Sequence, residues 1–468
     1  MSLESTLPNQ AHIPDREPEP RPEPTTPPPA PGGAPLVGHA WNLLRDPLGF
    51  LTSLRDGGDV VRIRLGPRTA YAVNSPELVE RLLRSPDFLV GGALWDTLGV
   101  LLGQGVATSN GARHRRQRRA LQPAFRPDRI AEYGVLMAEE AQRTADGLRP
   151  GQTVDIAGEM FRTATRTAAR SLLCVEALDE RAERLCTALG TVFDGMYRRM
   201  ILSVGPFYRL PLPANRRFAR ALADLHRLVD EIIAERRGVA ASGSNPDDLL
   251  TTLLQARDEN GELVPEQEAH DQVIALLVAG GENVAKTLAW TLQLLAEHPE
   301  HERRLYEEVE SVTGGRPVAF GDLKDLAYMR NLITESMRIR PAAWIFTRVA
   351  AADTELGGYR IPAGTDIFYS PYAMQRDPRS FEDALDFDPD RWLPERRTAA
   401  ARTAHQPFGT GNRKCPGDHY SMTELALTLG TLVAKWRFVQ VPETDSTPRL
   451  GITLQPRRAV LRVEARKP

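Results

Sequence analysis

The sequence is poor in cysteine, in long apolar runs and in net charge, and each shortage excludes a class of protein. Three cysteines among 468 residues cannot build a disulfide framework, which favours a reducing compartment. No apolar run approaches the roughly eighteen residues of a spanning helix, so we expect no membrane anchor. A formal net charge of −2 gives no overall attraction to nucleic acid or to an anionic membrane. We therefore expect a cytoplasmic protein.

The N-terminal stretch and the rest of the chain differ in composition. Residues 1–35 hold eleven of the 37 prolines, interleaved with glutamate, arginine and threonine. Such a segment cannot bury enough apolar surface to offset the entropy lost on folding, so we expect residues 1–35 to form a disordered arm. Residues 36–468 are long enough and apolar enough for a single large domain with a sizeable core.

Helical patterns predominate in that domain, with short strands near both ends. From Asp59 to Val73 apolar residues alternate on both sides of a Gly66-Pro67-Arg68 turn, which predicts a hairpin. From Glu266 to Glu297 apolar residues recur at three- and four-residue steps, which predicts one long helix. Residues 88–110 show no clean period and are expected to form a loop, and Asn245 is expected to cap the helix that follows it. The pattern predicts a mainly α fold with small β-sheets.

One cysteine stands in a setting suited to metal ligation. Cys415 lies in a glycine-containing turn just ahead of a helical run that begins near Tyr420. The helix N-terminus and the neighbouring Arg413 and Lys414 are each expected to lower the pKa of its thiol and to favour the thiolate. A single thiolate supplies too few ligands for a zinc or iron–sulfur cage, but it suits one axial position of a haem iron. The alternative, from cysteine statistics alone, is a buried free thiol.

The residues around Cys415 resemble the haem-binding signature of cytochrome P450 enzymes, as Phe408-x-x-Gly411-x-Arg413-x-Cys415-x-Gly417. The resemblance extends over about residues 34 to 465, and its motifs fall in the expected order. It implies the cytochrome P450 fold, a triangular prism in which a long central helix crosses over the haem and the cysteine loop lies beneath it. It also implies haem b as the cofactor, with Cys415 as the axial ligand and Phe408, Gly411 and Gly417 forming the loop around it.

Two groups of charged residues resemble further features of this family. The first group comprises the expected donors to the haem propionates: His114, Arg118, Arg348 and Arg413. A guanidinium suits a carboxylate because it can donate two parallel hydrogen bonds. The second group resembles a Glu–Arg–Arg triad expected to support folding and haem retention rather than chemistry: Glu335, Arg338 and Arg391.

The middle of the long helix carries the residues expected to handle dioxygen. Ala279-Gly280-Gly281-Glu282-Asn283 resembles the family's Ala-Gly-x-acid-Thr segment. The resemblance assigns catalytic positions to Gly280, Glu282 and Asn283, although the glycine pair alone would indicate close helix packing. The chain departs from the family at Asn283, where the family has threonine. A carboxamide donates a hydrogen bond but does not relay protons at neutral pH. We therefore expect proton delivery to depend on ordered water, on the substrate or on Asn283 as a positioning donor.

The substrate pocket is expected to be apolar, with few charge partners. Its candidate wall residues are Trp95, Leu98, Leu276, Leu277, Ala279, Ala343, Trp344, Ile345 and Leu454. Such a pocket favours a hydrophobic terpenoid, steroid or macrolide-like molecule over a free fatty acid or an amino acid.

These resemblances imply a haem–thiolate monooxygenase that oxidises a hydrophobic natural product with O2. The sequence shows no phosphate loop, flavin site or cysteine cluster, so we expect electrons from a separate ferredoxin and ferredoxin reductase. We also expect a monomer that binds no nucleic acid. Asn283 leaves open a peroxide-using or rearranging haem–thiolate enzyme that inserts no oxygen, and a haem-binding sensor without turnover is a second alternative.

Overall fold

A computed structural model describes residues 25–175, 179–202, 210–241, 248–257 and 261–466. Its helices are α1 (Ala40–Arg45), α2 (Pro47–Ser53), α3 (Pro76–Arg84), α4 (Ala93–Leu102), α5 (Gly111–Leu121), α6 (Pro127–Gly147), α7 (Ile156–Leu173), α8 (Asp179–Leu202), α9 (Pro213–Ala241), α10 (Leu249–Leu254), α11 (Glu266–Glu297), α12 (Pro299–Thr313), α13 (Ala327–Ile339), α14 (Pro371–Met374), α15 (Ala399–Ala404) and α16 (Asp418–Lys435). Its strands are β1 (Val60–Leu65), β2 (Arg68–Val73), β3 (Phe88–Val90), β4 (Thr153–Asp155), β5 (Phe346–Ala350), β6 (Thr354–Leu356), β7 (Tyr359–Ile361), β8 (Asp366–Tyr369), β9 (Trp436–Gln440), β10 (Asp445–Leu450), β11 (Leu454–Arg458) and β12 (Val460–Ala465). The predicted mainly α fold with small sheets is confirmed.

Helix α11 is the central element of the core, and its bounds match those predicted from the sequence. It begins after Pro265 with Glu266 and Glu268 in its first turn, where carboxylates interact favourably with the helix dipole. It packs against α7, α13 and α16, and most of its side chains are buried. Within the described ranges it is the one helix long and apolar enough to cross a membrane, but most of that apolar stretch is buried inside the protein.

The glycine pair of α11 lies against α7. A Cβ at Gly280 would come within 2.9 Å of Ala168 Cβ, and one at Gly281 within 3.0 Å of Thr165 Oγ1. Each glycine costs a helix interior about 1 kcal/mol relative to alanine, and the close approach of the two helices offsets that cost. These contacts are those of the close-packing alternative, and the assignment of Gly280 to the oxygen site stays a prediction.

The largest sheet among the described residues has five strands in the order β1-β2-β8-β5-β3. Strands β1 and β2 form the predicted antiparallel hairpin, with Val60 opposite Val73 and Leu65 opposite Arg68. Strand β5 lies between β8 and β3 and is antiparallel to both. This arrangement places Arg348 in the interior of the sheet, where its side chain is buried.

Two local predictions differ from the structure. Residues 88–110 contain β3 and α4 rather than an open loop, because Gly92 at φ +87° and Gly103 at φ +51° provide the chain reversals that begin and end a helix. The helix after the 241–246 segment is capped by Asp248, whose carboxylate accepts from the backbone N–H of Thr251 at 2.8 Å. The predicted cap, Asn245, lies outside the described residues.

The proline-rich N-terminal segment is partly built into the domain. The backbone N–H of Thr25 donates to Gly358 O at 3.0 Å, and that of Ala30 donates to Arg62 O at 2.8 Å. Ala30 is also buried in the core. The predicted arm boundary at residue 35 is therefore too far along the chain, while residues 1–24 lie outside the described residues.

Candidate active site

The loop that carries Cys415 is packed against α3 and folded back on itself. Gly411 has a φ of +66°, and a Cβ there would lie 2.9 Å from the carbonyl oxygen of Leu83, so the loop requires glycine at this position. The backbone N–H of Cys415 donates to Phe408 O at 2.8 Å. A Cβ at Gly417 would lie 3.9 Å from Cys415 Sγ, and the Gly417 N–H donates toward the sulfur. Gly411 thus allows the loop to pack closely on α3, whereas Gly417 donates a backbone hydrogen bond towards the Cys415 sulfur.

Burial raises the pKa of the Cys415 thiol above its ordinary value. The Gly417 N–H and the charges of Arg118 and Lys414 act in the opposite direction, while the Asp418 carboxylate adds to the rise. The predicted net lowering of this pKa is therefore wrong for the protein chain alone, because desolvation outweighs the nearby charges. A metal cation held by Cys415 would supply the charge that favours the thiolate, since a coordinating thiol is deprotonated.

The predicted propionate donors lie on α5, on β5 and in the cysteine loop. Arg118 Nη1 donates to Lys414 O at 2.6 Å, which ties α5 to the loop. Arg413 donates to Asn110 Oδ1 at 2.7 Å and to Val106 O at 3.1 Å, so it turns towards the segment before α5 rather than towards the sulfur.

The pKa shifts of Arg413 and His114 indicate that these basic side chains lie close enough to affect one another. Burial, and then the charges of Arg348 and Arg118, lower the pKa of Arg413 to about 10. Burial, and then the charges of Arg413, Arg118 and Arg115, lower the pKa of His114 to about 4. The structure therefore brings the four predicted donors into one electropositive region.

The donor set fits a dianionic ligand such as haem. In the part of the chain that the structure describes, neither Arg348 nor Arg413 forms an ion pair with a carboxylate. Arg348 is only 5% exposed, and a buried charge without a counter-charge is costly. No group of three or more His, Cys, Asp or Glu side chains among the described residues could hold a metal ion. A ligand that carries two carboxylates would supply the counter-charge that Arg348 and Arg413 lack.

We predict that Arg348→Met has opposite effects on the haem-free and the haem-bound protein. The haem-free protein should be at least as stable to urea, because a buried unpaired charge is removed. Transfer of haem to an acceptor protein should accelerate about tenfold or more, since a hydrogen bond to a charged group is worth about 1.5–3 kcal/mol. Arg64→Met, at an exposed position on β1 of the same sheet, is the matched control. An unchanged rate of haem transfer would contradict the assignment.

The face of α11 that carries Asn283 differs from the face that carries Glu282. Asn283 and Ala279 lie one turn apart and are exposed in an otherwise largely buried helix. Glu282 is buried, and its Oε1 accepts from Thr453 Oγ1 at 2.5 Å and lies 3.7 Å from Lys286 Nζ. The sequence analysis missed both partners. Lys286 was detectable because it follows Glu282 by four residues on a helix, but nothing in the sequence pointed to Thr453.

The predicted Glu–Arg–Arg triad is assembled in the core. Glu335 and Arg338 both have 0% exposure, with Arg338 Nη2 2.7 Å from Glu335 Oε1 and Arg338 Nε 2.9 Å from Oε2. Arg391 Nε lies 3.4 Å from Glu335 Oε1. Trp392 Nε1 donates to Glu335 Oε2 at 2.9 Å, a contact that the sequence analysis missed. The structure thus brings all three residues together around one buried carboxylate.

The predicted pocket residues divide into two groups by exposure. The residues that retain accessible surface are Trp95, Leu98, Ala279, Ala343 and Ile345. The residues buried in the core are Leu276, Leu277, Trp344 and Leu454. Trp344 is held there by its indole N–H, which donates to Gly451 O at 3.0 Å. The side chains of these four residues pack against the core, and their assignment to the pocket wall stays a prediction.

Comparison with known proteins gives the family. The family model for cytochrome P450 matches residues 27–463. This chain belongs to the cytochrome P450 family. It is therefore a haem–thiolate monooxygenase, an oxidoreductase that carries a cysteine-ligated haem b.

The enzyme is similar over most of its length to three curated Streptomyces proteins. It is 43% identical to pentalenene oxygenase of Streptomyces avermitilis, over 93% of this chain and 97% of that protein. It is 43% identical to cyclooctat-9-en-7-ol 5-monooxygenase of Streptomyces melanosporofaciens, over 88% and 90% of the two chains. It is 41% identical to cyclooctatin synthase of the same organism, over 92% and 94%.

Proposed function

We propose that this enzyme oxidises a cyclic terpenoid with O2. The observation that carries the proposal is the similarity over nearly the full length to three relatives named for pentalenene, cyclooctat-9-en-7-ol and cyclooctatin. The side chains near the site that retain accessible surface are largely apolar, which suits a hydrocarbon-rich substrate.

Cys415 is the proposed axial ligand, and the four basic side chains are the proposed propionate donors. When bound, a haem with a thiolate ligand supplies the activation of O2 that allows an unactivated C–H bond to be oxidised. The chain contributes positioning. Gly417 donates towards the sulfur, while the buried Arg348 and the partly buried Arg413 would supply the positive charge that two carboxylates need. The Glu335 cluster holds the segments at residues 375–392 onto α13 and thus supports the fold around the site.

Helix α11 presents Asn283 from its exposed face. Its carboxamide can donate a hydrogen bond that orients a water molecule or the substrate, but it does not relay a proton at neutral pH. Glu282 is the proposed proton-handling group, and it acts through water because its carboxylate is buried beside Lys286 and Thr453.

Electrons are proposed to come from a ferredoxin and its reductase. Arg113, Arg115 and Arg119 of α5 are exposed, and Arg118 joins the same helix to the cysteine loop at Lys414. An acidic ferredoxin would therefore meet positive charge close to the cysteine ligand. We also propose that the enzyme is a monomer and that it is located in the cytoplasm.

The proposal is tested by titrating purified enzyme with cyclic terpene hydrocarbons and terpene alcohols while the haem absorbance is recorded. Ligands that displace water from the iron should change the spin state and the spectrum. Those that bind should then be oxidised when ferredoxin, reductase and NAD(P)H are supplied, with products identified by mass spectrometry. Fatty acids and amino acids serve as comparison ligands. Tight binding and turnover of a fatty acid, with no terpenoid bound, would contradict the substrate class.

A second candidate function is peroxide-driven oxidation without reductive activation of O2, and Asn283 is the observation that favours it. The reductive pathway predicts that Asn283→Ala lowers the ratio of product to NADH about tenfold, the effect of losing one hydrogen bond of about 1–1.5 kcal/mol. The comparison variant is Asn283→Thr, which restores a hydroxyl and should hold or raise that ratio. Equal ratios in all three proteins, together with product formed from peroxide alone, would favour the second candidate.

A further inference from the structure

Glu282, Lys286 and Thr453 form a buried polar cluster where α11 meets the turn before β11. Their exposed fractions are 6%, 9% and 7%. Thr453 Oγ1 donates to Glu282 Oε1 at 2.5 Å, and Lys286 Nζ lies 3.7 Å from the same oxygen. A short O–H···O contact to a carboxylate is typical of a charge-assisted hydrogen bond. The cluster therefore fixes one oxygen of a buried acid from two sides.

The turn that carries Thr453 is held rigidly to its surroundings. Trp290 Nε1 on α11 donates to Leu454 O at 3.1 Å, and Trp344 Nε1 donates to Gly451 O at 3.0 Å. The backbone N–H of Leu454 also donates to Ala342 O at 2.8 Å. Because the backbone on both sides of residue 453 is fixed, the position of the Thr453 hydroxyl is fixed as well.

The hydroxyls of α11 itself are engaged elsewhere. Thr287 Oγ1 donates to the backbone oxygen of Asn283 at 2.9 Å, and Thr291 Oγ1 donates to that of Thr287 at 2.8 Å. Position 283, next to the acid, holds an amide. Of the described side-chain hydroxyls, the one that contacts Glu282 thus comes from a turn 171 residues further along the chain.

We propose that Thr453 is the positioning residue of Glu282. Its hydroxyl holds Oε1, together with the Lys286 ammonium, so that Oε2 faces water at a constant place. Where water reaches Oε2, this oxygen would take a proton from one water molecule and return a proton to another, which regenerates the carboxylate and leaves the cluster unchanged. The proposal rests on the proposed function, because that function gives Glu282 protons to deliver.

The test compares Thr453→Val, which is nearly isosteric but lacks the hydroxyl, with Thr453→Ser, which keeps it. Thr291→Val is the matched control, since it removes a buried threonine hydroxyl from α11 that does not contact Glu282. Infrared spectra of the resting enzyme give a readout without turnover. The Glu282 carboxylate band is assigned by its loss in Glu282→Gln.

We expect Thr453→Val to shift the Glu282 band and to lower kcat about tenfold or more at an unchanged KM, since a hydrogen bond to a charged group is worth about 1.5–3 kcal/mol. Its solvent deuterium isotope effect on kcat should rise, and its ratio of product to NADH should fall. Thr453→Ser should restore all four measurements to within about twofold, and Thr291→Val should match the parent enzyme.

The proposal is overturned if the Glu282 band and the isotope effect in Thr453→Val equal those of the parent enzyme. It is also overturned if Thr453→Ser behaves like Thr453→Val, since the hydroxyl would then not be the active feature. The infrared result needs no substrate, so failure of terpenoid oxidation would leave this part of the test intact. The carbon monoxide difference spectrum of each variant checks that the haem site is unchanged.

Discussion

Cys415→Ser is expected to remove the thiolate-type Soret band from the carbon monoxide difference spectrum of the reduced protein and to abolish terpenoid oxidation. A serine hydroxyl does not ionise at neutral pH and cannot donate electron density to iron as a thiolate does. The fold should survive, because the loop is held by backbone contacts such as the Cys415 N–H to Phe408 O hydrogen bond, which the substitution preserves.

The two other cysteines are the controls for this experiment. Cys174 is exposed at the end of α7, and Cys186 is buried in α8. Cys174→Ser and Cys186→Ser should each keep the thiolate-type band and the activity. If either of them lost the band while Cys415→Ser kept it, the ligand would be assigned to the wrong loop.

Arg338→Ala is expected to lower the free energy of unfolding by about 3–5 kcal/mol, the cost of leaving a buried charge without its partner. Arg338 is the main partner of Glu335, and both are fully buried. It also donates to the carbonyl oxygens of Gln375, Ala384 and Asp386 at 2.7–2.8 Å. The substitution therefore leaves four or more polar groups unsatisfied in the core, and haem retention should fall with stability.

Two comparisons separate the buried charge from general damage to the fold. The double variant Glu335→Gln/Arg338→Met removes both charges and should recover part of the loss measured for Arg338→Ala. Arg396→Ala breaks a 2.7 Å ion pair with Asp388 in which both side chains are partly exposed, and it should cost no more than about 1 kcal/mol. Urea unfolding of each variant measures these values. A loss for Arg338→Ala as small as that for Arg396→Ala would show that the triad does not support the fold.

Elements with a clear period were predictable from the sequence, and their bounds were close to those observed. Helix α11 and the β1–β2 hairpin each satisfy a local rule, the three- and four-residue repeat or the alternation around a glycine turn. The cysteine loop was identifiable because Cys415, Gly411 and Gly417 stand within seven consecutive positions. In these cases the information lies within one short stretch of chain.

Features set by packing between distant segments were not predictable in this way. Trp344 and Leu454 were assigned to the pocket, and the sequence did not indicate that the tertiary fold buries both side chains. The packing partner of Gly280, Ala168 on α7, could not be identified from the sequence around the glycine pair. The pKa of Cys415 was judged from its sequence neighbours, and burial outweighed them. The contact between Thr453 and Glu282 was not predicted, because the two residues are 171 positions apart in the chain.

The central claim, that this enzyme inserts oxygen from O2 into a bound terpenoid, is tested most directly by isotope labelling. A terpenoid that changes the haem spectrum is incubated with the enzyme, ferredoxin, reductase and NAD(P)H under 18O2, and the product is analysed by mass spectrometry. The account predicts one labelled oxygen atom in each newly oxidised product molecule, and none when the label is carried by water. A product that contains no oxygen from O2 would contradict it.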